Sequence, residues 1–324
     1  MEISLSLLGG FVLLVLGGEL LVRGSVGVAT RFGVSPLVIG LTLVGFGTST
    51  PELVTSVQAA LGGYPGVAYG NIVGSNIANI LLILGVTAII CPIAVARGAL
   101  KRDGLAMLSV AAIFTLLAFV MPMGRIVGLA FVLALAGYIY LAFRQESAGA
   151  EPGAVHDKGE ALSEAEAAIA PGPAPGGSLL LPLGMAIAGI AAVVAGGALL
   201  VDGAVSLARI FGVSETLIGL TIVAIGTSLP ELVTSVMAAL RRQTDVAFGN
   251  IVGSNIYNIL GIGGATALVS PGAVPAQIVR FDNLFMVAVS ALVIWFTYTG
   301  RKLDRWEGGV LLAGYVGYLA LVVL

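Results

Sequence analysis

The chain has 324 residues, 58% hydrophobic and only 10% charged, with a formal net charge of −2 and a mean hydropathy of +1.07. Soluble domains carry about 25% charged residues, so this composition excludes a water-solvated globule, and nothing in it resembles a basic nucleic-acid surface. One cysteine (Cys91) and one histidine (His156) exclude an internal disulfide and leave no Cys/His set for zinc or copper.

Crossing a ~30 Å hydrocarbon layer takes about 20 apolar residues. In chain order such stretches are read at 3–24, 36–60, 66–90, 104–121 and 125–143. After a polar break they resume at 178–202, 214–240, 246–270, 281–299 and 306–324. The expectation is an all-α integral membrane protein with ten transmembrane helices. The first stretch begins Met1-Glu2 without a positive n-region, and its later part recurs after the break, so it is expected to be a retained span and not a signal peptide. The break, 145–177, is rich in Glu, Ala, Gly and Pro and reads as an acidic linker between two domains, 1–144 and 178–324. Within it, Ser163-Glu-Ala-Glu166 carries a helix-capping pattern, and His156 is assigned no role. Cys91, at the end of the third stretch, reads as a small apolar filler.

The two halves are copies. Gly17–Asn79 aligns without gaps on Gly196–Asn258 at an offset of 179, and 41 of the 63 aligned pairs are identical. The identities include polar strings that shared hydrophobicity does not explain: Gly47-Thr48-Ser49 with Gly226-Thr227-Ser228, and Gly70–Ile77 with Gly249–Ile256. Five spans per copy is an odd number, so the second copy enters the membrane from the face opposite to the first. Arg31, Arg97, Lys101, Arg102, Arg144, Lys158, Arg241, Arg242, Arg301, Lys302 and Arg305 then share one side, against Arg125, Arg209 and Arg280 on the other. Excess Lys and Arg marks the cytoplasmic face, which puts the linker inside and both termini outside. Inverted repeats of this kind build secondary transporters, whose sites lie at the repeat interface on interrupted helices.

Glu52 and Glu231 fall well inside the second and seventh spans, each followed by Leu-Val-Thr-Ser-Val. An ionised carboxylate there costs about 2.5–3.5 kcal/mol on insertion scales, and no Lys or Arg lies at similar depth in spans 2, 3, 7 or 8. Either the acids are protonated or a cation sits between them. Pro51 and Pro230 immediately precede them; a helical proline removes an N–H and displaces the carbonyl four residues back, here Gly47 and Gly226. Carboxylates, hydroxyls and freed carbonyls are hard oxygen ligands suited to Ca²⁺ and Na⁺. Thr48, Ser49, Thr227 and Ser228 lie one turn before the acids on the same face. In spans 3 and 8, Ser75 with Asn79 and Ser254 with Asn258 share a face at i, i+4, and all four are expected ligands. Asn71 and Asn250 are weaker candidates. Glu19 and Arg23 are spaced to pair at i, i+4, but the repeat replaces them with Ala198 and Asp202, so all three charges are read as structural or interfacial.

The strings Gly47-Thr-Ser-Thr-Pro-Glu52 and Gly226-Thr-Ser-Leu-Pro-Glu231, with Gly-Asn-Ile-Val-Gly-Ser-Asn in each copy, resemble the α-repeats of the Ca²⁺/cation antiporter superfamily, most closely its prokaryotic sodium/calcium exchangers. The resemblance spans both repeats. It implies that Glu52 and Glu231 bind Ca²⁺ or Na⁺ with help from Thr48, Ser49, Thr227, Ser228, Ser75 and Ser254, and that the backbone oxygens of Gly45 and Ala224 complete outer sodium sites. It also implies a multi-pass cell-membrane location, no cofactor and no obligate protein partner. Asn258 stands where potassium-dependent members carry an aspartate, which argues against potassium dependence. H⁺/Ca²⁺ antiport through the same glutamates is the nearest alternative. A passive cation channel is the rival from another class, and an enzyme is not expected, because the spans offer no His or Cys at the site.

Overall fold

The computed structural model describes residues 2–95, 97–148, 178–212 and 224–323. The linker from 149 to 177, with His156 and the capping pattern, and residues 214–223 of the expected seventh span lie outside the described residues. The described chain is built almost wholly of helices: α1 (Glu2–Phe32), α2 (Pro36–Thr48), α3 (Thr50–Leu61), α4 (Pro65–Ile90), α5 (Leu100–Val120) and α6 (Arg125–Ala148). They are followed by α7 (Leu180–Ile210), α8 (Ala224–Thr227), α9 (Leu229–Leu240), α10 (Thr244–Val269), α11 (Ile278–Gly300) and α12 (Arg305–Val323). Seven of these are long and apolar enough to cross a membrane, or eight if the bent pair α2/α3 is one span.

Three expectations are adjusted. The second span is two helices meeting at 47°, because Pro51 supplies no N–H to the preceding turn; the backbone breaks at Ser49 (φ −81, ψ 12). Ser228 repeats that break between α8 and α9 (φ −91, ψ 8). Helices α1 and α7 run to 31 residues each, past positions 24 and 202 where their apolar stretches were expected to end. Finally, the all-α chain contains two short strands, β1 (Ile93–Ala94) and β2 (Lys302–Leu303), paired antiparallel.

Burial sorts the helices into a centre and a periphery. The apolar windows of α4 and α10 are each 78% buried, against 33% for α1, 28% for α7 and 17% for α6. The central pair therefore forms a protein-packed core. Small residues permit its closest crossing: a β-carbon on Gly253 of α10 would lie 2.2 Å from the Leu41 carbonyl oxygen of α2. Outside this core, α1 and α7 lie along each other and run in opposite directions, since Gly10 meets Gly196, Gly17 meets Val193 and Gly24 meets Ala186.

The duplication reaches further in structure than in sequence identity. Helices α4 and α10 both pass into a π-helical turn at the repeat-related Asn79 and Asn258, and α5 and α11 both open with one, at Leu100–Gly104 and Ile278–Asp282. Those latter turns carry Asp103 and Asp282, again 179 apart. The Tyr138 hydroxyl donates to Asp103 (3.0 Å) and the Tyr318 hydroxyl to Asp282 (2.9 Å). The β1–β2 ladder pairs Ile93 with Leu303, and its counterpart is the antiparallel bridge between Met123 and Gly272.

The tight α2–α10 crossing predicts that Gly253→Ala lowers the thermal midpoint in detergent by an amount equivalent to about 1–3 kcal/mol, the usual cost of overpacking. Gly137→Ala, at an exposed position of α6 with no atom within 4 Å of the added carbon, should leave the midpoint unchanged or raise it, because alanine is the better helix former.

Candidate functional site

Two half-helices point their first turns at one another. The breaks at Ser49 and Ser228 place Glu52 in the first turn of α3 and Glu231 in the first turn of α9, where unpaired backbone N–H groups and the helix dipole favour negative charge. Each carboxylate is 1% exposed. Their hydrogen bonds are exchanged between repeats: Ser49 Oγ donates to Glu231 Oε1 (2.7 Å), and Ser228 Oγ donates to Glu52 Oε1 (3.1 Å). Each serine is the residue at the break of one repeat, and each acceptor belongs to the other. The two bonds are repeat-related, donors and acceptors each standing 179 positions apart.

The asparagines of α4 and α10 hold this arrangement from behind. Asn71 Nδ2 donates to the Glu52 carbonyl oxygen (3.1 Å) and to Ser56 Oγ (2.9 Å). Asn250 Nδ2 donates to the Glu231 carbonyl oxygen (3.2 Å) and to Ser235 Oγ (2.8 Å). Two further bonds cross between repeats: Thr48 Oγ1 donates to Asn250 Oδ1 (3.2 Å), and Ser254 Oγ donates to the Gly45 carbonyl oxygen (3.2 Å). The amide donors of Asn71 and Asn250 are thus engaged in fixing α3 to α4 and α9 to α10, so these two residues position the acids. Their serine partners, Ser56 and Ser235, went unread in the sequence, although the Thr-Ser pair after each glutamate is repeated in both copies.

Other expected residues are found at the same centre but make different connections. Ser75, Asn79, Ser254 and Asn258 are all buried. Both polar atoms of Asn79 and both of Asn258 are buried without a hydrogen-bond partner among the described residues, as are Glu52 Oε2 and Glu231 Oε2. Asn76 and Asn255 donate to the carbonyl oxygens of Ile72 and Ile251 and keep a buried, unpartnered Oδ1 each. Ala224 is the first residue of α8, and Thr227 its last. A buried polar atom without a partner costs about 1–3 kcal/mol, and here such atoms occur at repeat-related positions in both copies. Among the described residues, no group of three or more Asp, Glu, His or Cys could hold a metal. The donor set is two carboxylates with amide, hydroxyl and carbonyl oxygens, the chemistry of hard cations.

Glu19 pairs with Arg23 as its spacing suggested, and also with Arg241, at the end of α9, through two nitrogen–oxygen contacts. The second partner, 222 residues away in the chain, carries no local signal.

Comparison with known proteins agrees with this architecture. The sodium/calcium exchanger protein family matches residues 3–144 and 181–324. The chain is 37% identical to the putative antiporter CaxA of Alkalimonas amylolytica, over 98% of both chains. It is 36% identical to the sodium/calcium exchanger MaX1 of Methanosarcina acetivorans, over 98% of this chain and 97% of that one. A solved structure of the sodium-calcium exchanger NCX_Mj, soaked with zero Na⁺ and Ca²⁺, superposes with a TM-score of 0.84 at 30% identity and covers 99% of each chain. These relatives are transporters and not enzymes. With matched helices from one end of the chain to the other and a two-carboxylate centre between its repeats, the protein is a membrane-spanning member of the sodium/calcium exchanger family.

Proposed function

We propose that the chain is a secondary antiporter that exchanges Na⁺ for Ca²⁺ across the cell membrane by alternating access at Glu52 and Glu231. The observation that carries this reading is the reciprocal Ser49–Glu231 and Ser228–Glu52 pairing. It couples the broken helix of each repeat to the acid of the other, so a cation on the two carboxylates bridges both halves of the molecule. Two carboxylates neutralise one Ca²⁺, and several Na⁺ would draw on the same oxygens, with Thr48, Ser49, Thr227, Ser228, Ser75, Ser254, Asn79, Asn258 and the carbonyls of Gly45 and Ala224 as the remaining ligands. Overlapping ligands make occupancy by the two ions mutually exclusive. A neutral, loaded site is also cheaper to seal within a low-dielectric interior than an empty, charged one, which favours exchange over leak.

In this reading the fold is two inverted five-helix repeats, 1–144 and 178–324, with ten spans and a cytoplasmic linker at 145–177. The seventh span is completed by α8 and α9, and both termini lie outside. The antiparallel course of α1 and α7 supports inversion, and the glycines along their seam provide a smooth surface over which the pair can shift. The ions are the substrates; no cofactor and no protein partner is required.

In proteoliposomes, an imposed Na⁺ gradient should drive ⁴⁵Ca²⁺ uptake, and Glu52→Gln or Glu231→Gln should abolish it. Uptake that ignores Na⁺ and follows a proton gradient would overturn the sodium assignment. Counterflow that fails to saturate would overturn the carrier. Asn250→Ala, which severs three bonds including the inter-repeat one from Thr48, should weaken Ca²⁺-dependent exchange more than Asn71→Ala, which severs two. Apparent affinities measured on the two variants test that order.

A further inference from the structure

The two repeats are related by sequence but are not equivalently packed, and the difference centres on α1. Gly18 of α1 lies against α9: a β-carbon there would sit 2.9 Å from Met237 Cγ and 3.2 Å from Val233 Cγ1. The repeat-related Gly197 of α7 would, by symmetry, face Gln58 and Val54 of α3. It faces Pro230 and Leu229 instead, and Val54 is left 46% exposed. Among the described residues, both long helices therefore pack on the half-helix of the second repeat, so the α9 face is covered while Val54 on the matching face of α3 is exposed. Beside Gly18, Glu19 joins α1 to the end of α9: Arg241 Nε donates to Glu19 Oε2 (2.8 Å), and Arg241 Nη2 contacts Oε1.

We propose that Glu19 and Arg241 form an ionic latch that holds the carrier in the conformation closed along α9, and that the opposite conformation has no such latch. The second half of this statement comes from the duplication. Exchanging the roles of the repeats, as alternating access does, would bring Ala198 of α7 to Gly62 at the end of α3 in place of Glu19 and Arg241. Neither can form an ion pair. The sequence thus breaks the symmetry of the two states at a position outside the ion site, and the resting equilibrium is biased toward the latched one. This rests on the alternating-access reading above; with Arg241 on the cytoplasmic side, the latched state is the one closed to the cytoplasm. Glu19 is 18% and Arg241 47% exposed at the side chain, so the latch is partly screened. Its strength is that of a bidentate pair near a surface, a bias of roughly two- to tenfold.

Accessibility reads this bias without reference to the transported ion. In a Cys91→Ala background, Val233→Cys sits under Gly18 and should react slowly with a membrane-impermeant maleimide applied from the Arg241 face. Glu19→Gln should raise the rate about two- to tenfold. The charge swap Glu19→Arg with Arg241→Glu should restore the slow rate, and Arg23→Gln, which leaves the latch intact, should not alter it. Building the missing counterpart, Ala198→Glu with Gly62→Arg, should raise Val233→Cys labelling in an otherwise native latch. Gly62 has ordinary right-handed backbone (φ −74), and an added β-carbon meets the Tyr64 ring at 3.1 Å, so that exposed ring must turn slightly to admit the side chain. Unchanged labelling in Glu19→Gln, or a swap that fails to restore the slow rate, overturns the latch. Retention of ⁴⁵Ca²⁺ exchange by Glu52→Gln would overturn the ion site and leave the labelling result standing.

Discussion

The structure depends on an exchange of hydrogen bonds at the centre of the molecule, in which the serine at each helix break serves the carboxylate of the other repeat. Two carboxylates buried in a low-dielectric interior repel one another and lack the water that would solvate them. Each is met by two sources of positive potential, the N-terminal turn of its own half-helix and a hydroxyl donor from the opposite repeat, to which the proposed function adds a cation. The prolines create the breaks that make the first two available. The asparagines of α4 and α10 then tie the carbonyl oxygen of each glutamate to a central helix, so the acids are held by the most buried part of the fold.

Around that rigid centre the packing changes character. Helix α10 crosses α2 so closely that a single added carbon on Gly253 would meet a carbonyl oxygen, whereas α1 and α7 are about a third buried and lie on each other along small residues. In the proposed alternating-access reading, the buried acids would form the fixed part and this pair of long helices the moving part. The packing is asymmetric: α1 covers α9, and among the described residues Val54 on the corresponding face of α3 is exposed. In the alternating-access reading, the duplicated sequence has two twofold-related asymmetric packings, and the proposed latch would set their relative populations.

Much of this was legible in the sequence. The offset of 179 located both acids, both prolines and the Ser-Asn strings, because a membrane interior penalises polar residues and so makes each retained one conspicuous. The resemblance of the motifs named the family that the comparisons then showed. The reach of α1 and α7 past positions 24 and 202 was not legible, since a helix that leaves the hydrocarbon layer continues through residues that carry no apolar signal. Nor were the clamp roles of Asn71 and Asn250. Their spacing is compatible with ligation or with positioning, and only the bonds to the Glu52 and Glu231 carbonyl oxygens assign the second. The Glu19–Arg241 pair joins elements far apart in the chain, and a local i, i+4 partner, Arg23, accounts for Glu19 in any reading confined to sequence.

The central claim is that one divalent ion bridges the two repeats through Glu52 and Glu231. It is tested most directly by anomalous diffraction from crystals soaked in Ca²⁺ or its heavier analogue Sr²⁺ and then washed with Na⁺. The account predicts a single strong peak within about 2.3–2.6 Å of oxygens from both carboxylates, lost on the sodium wash. A peak on one carboxylate alone, a peak elsewhere in the molecule, or one that persists through the wash would contradict it.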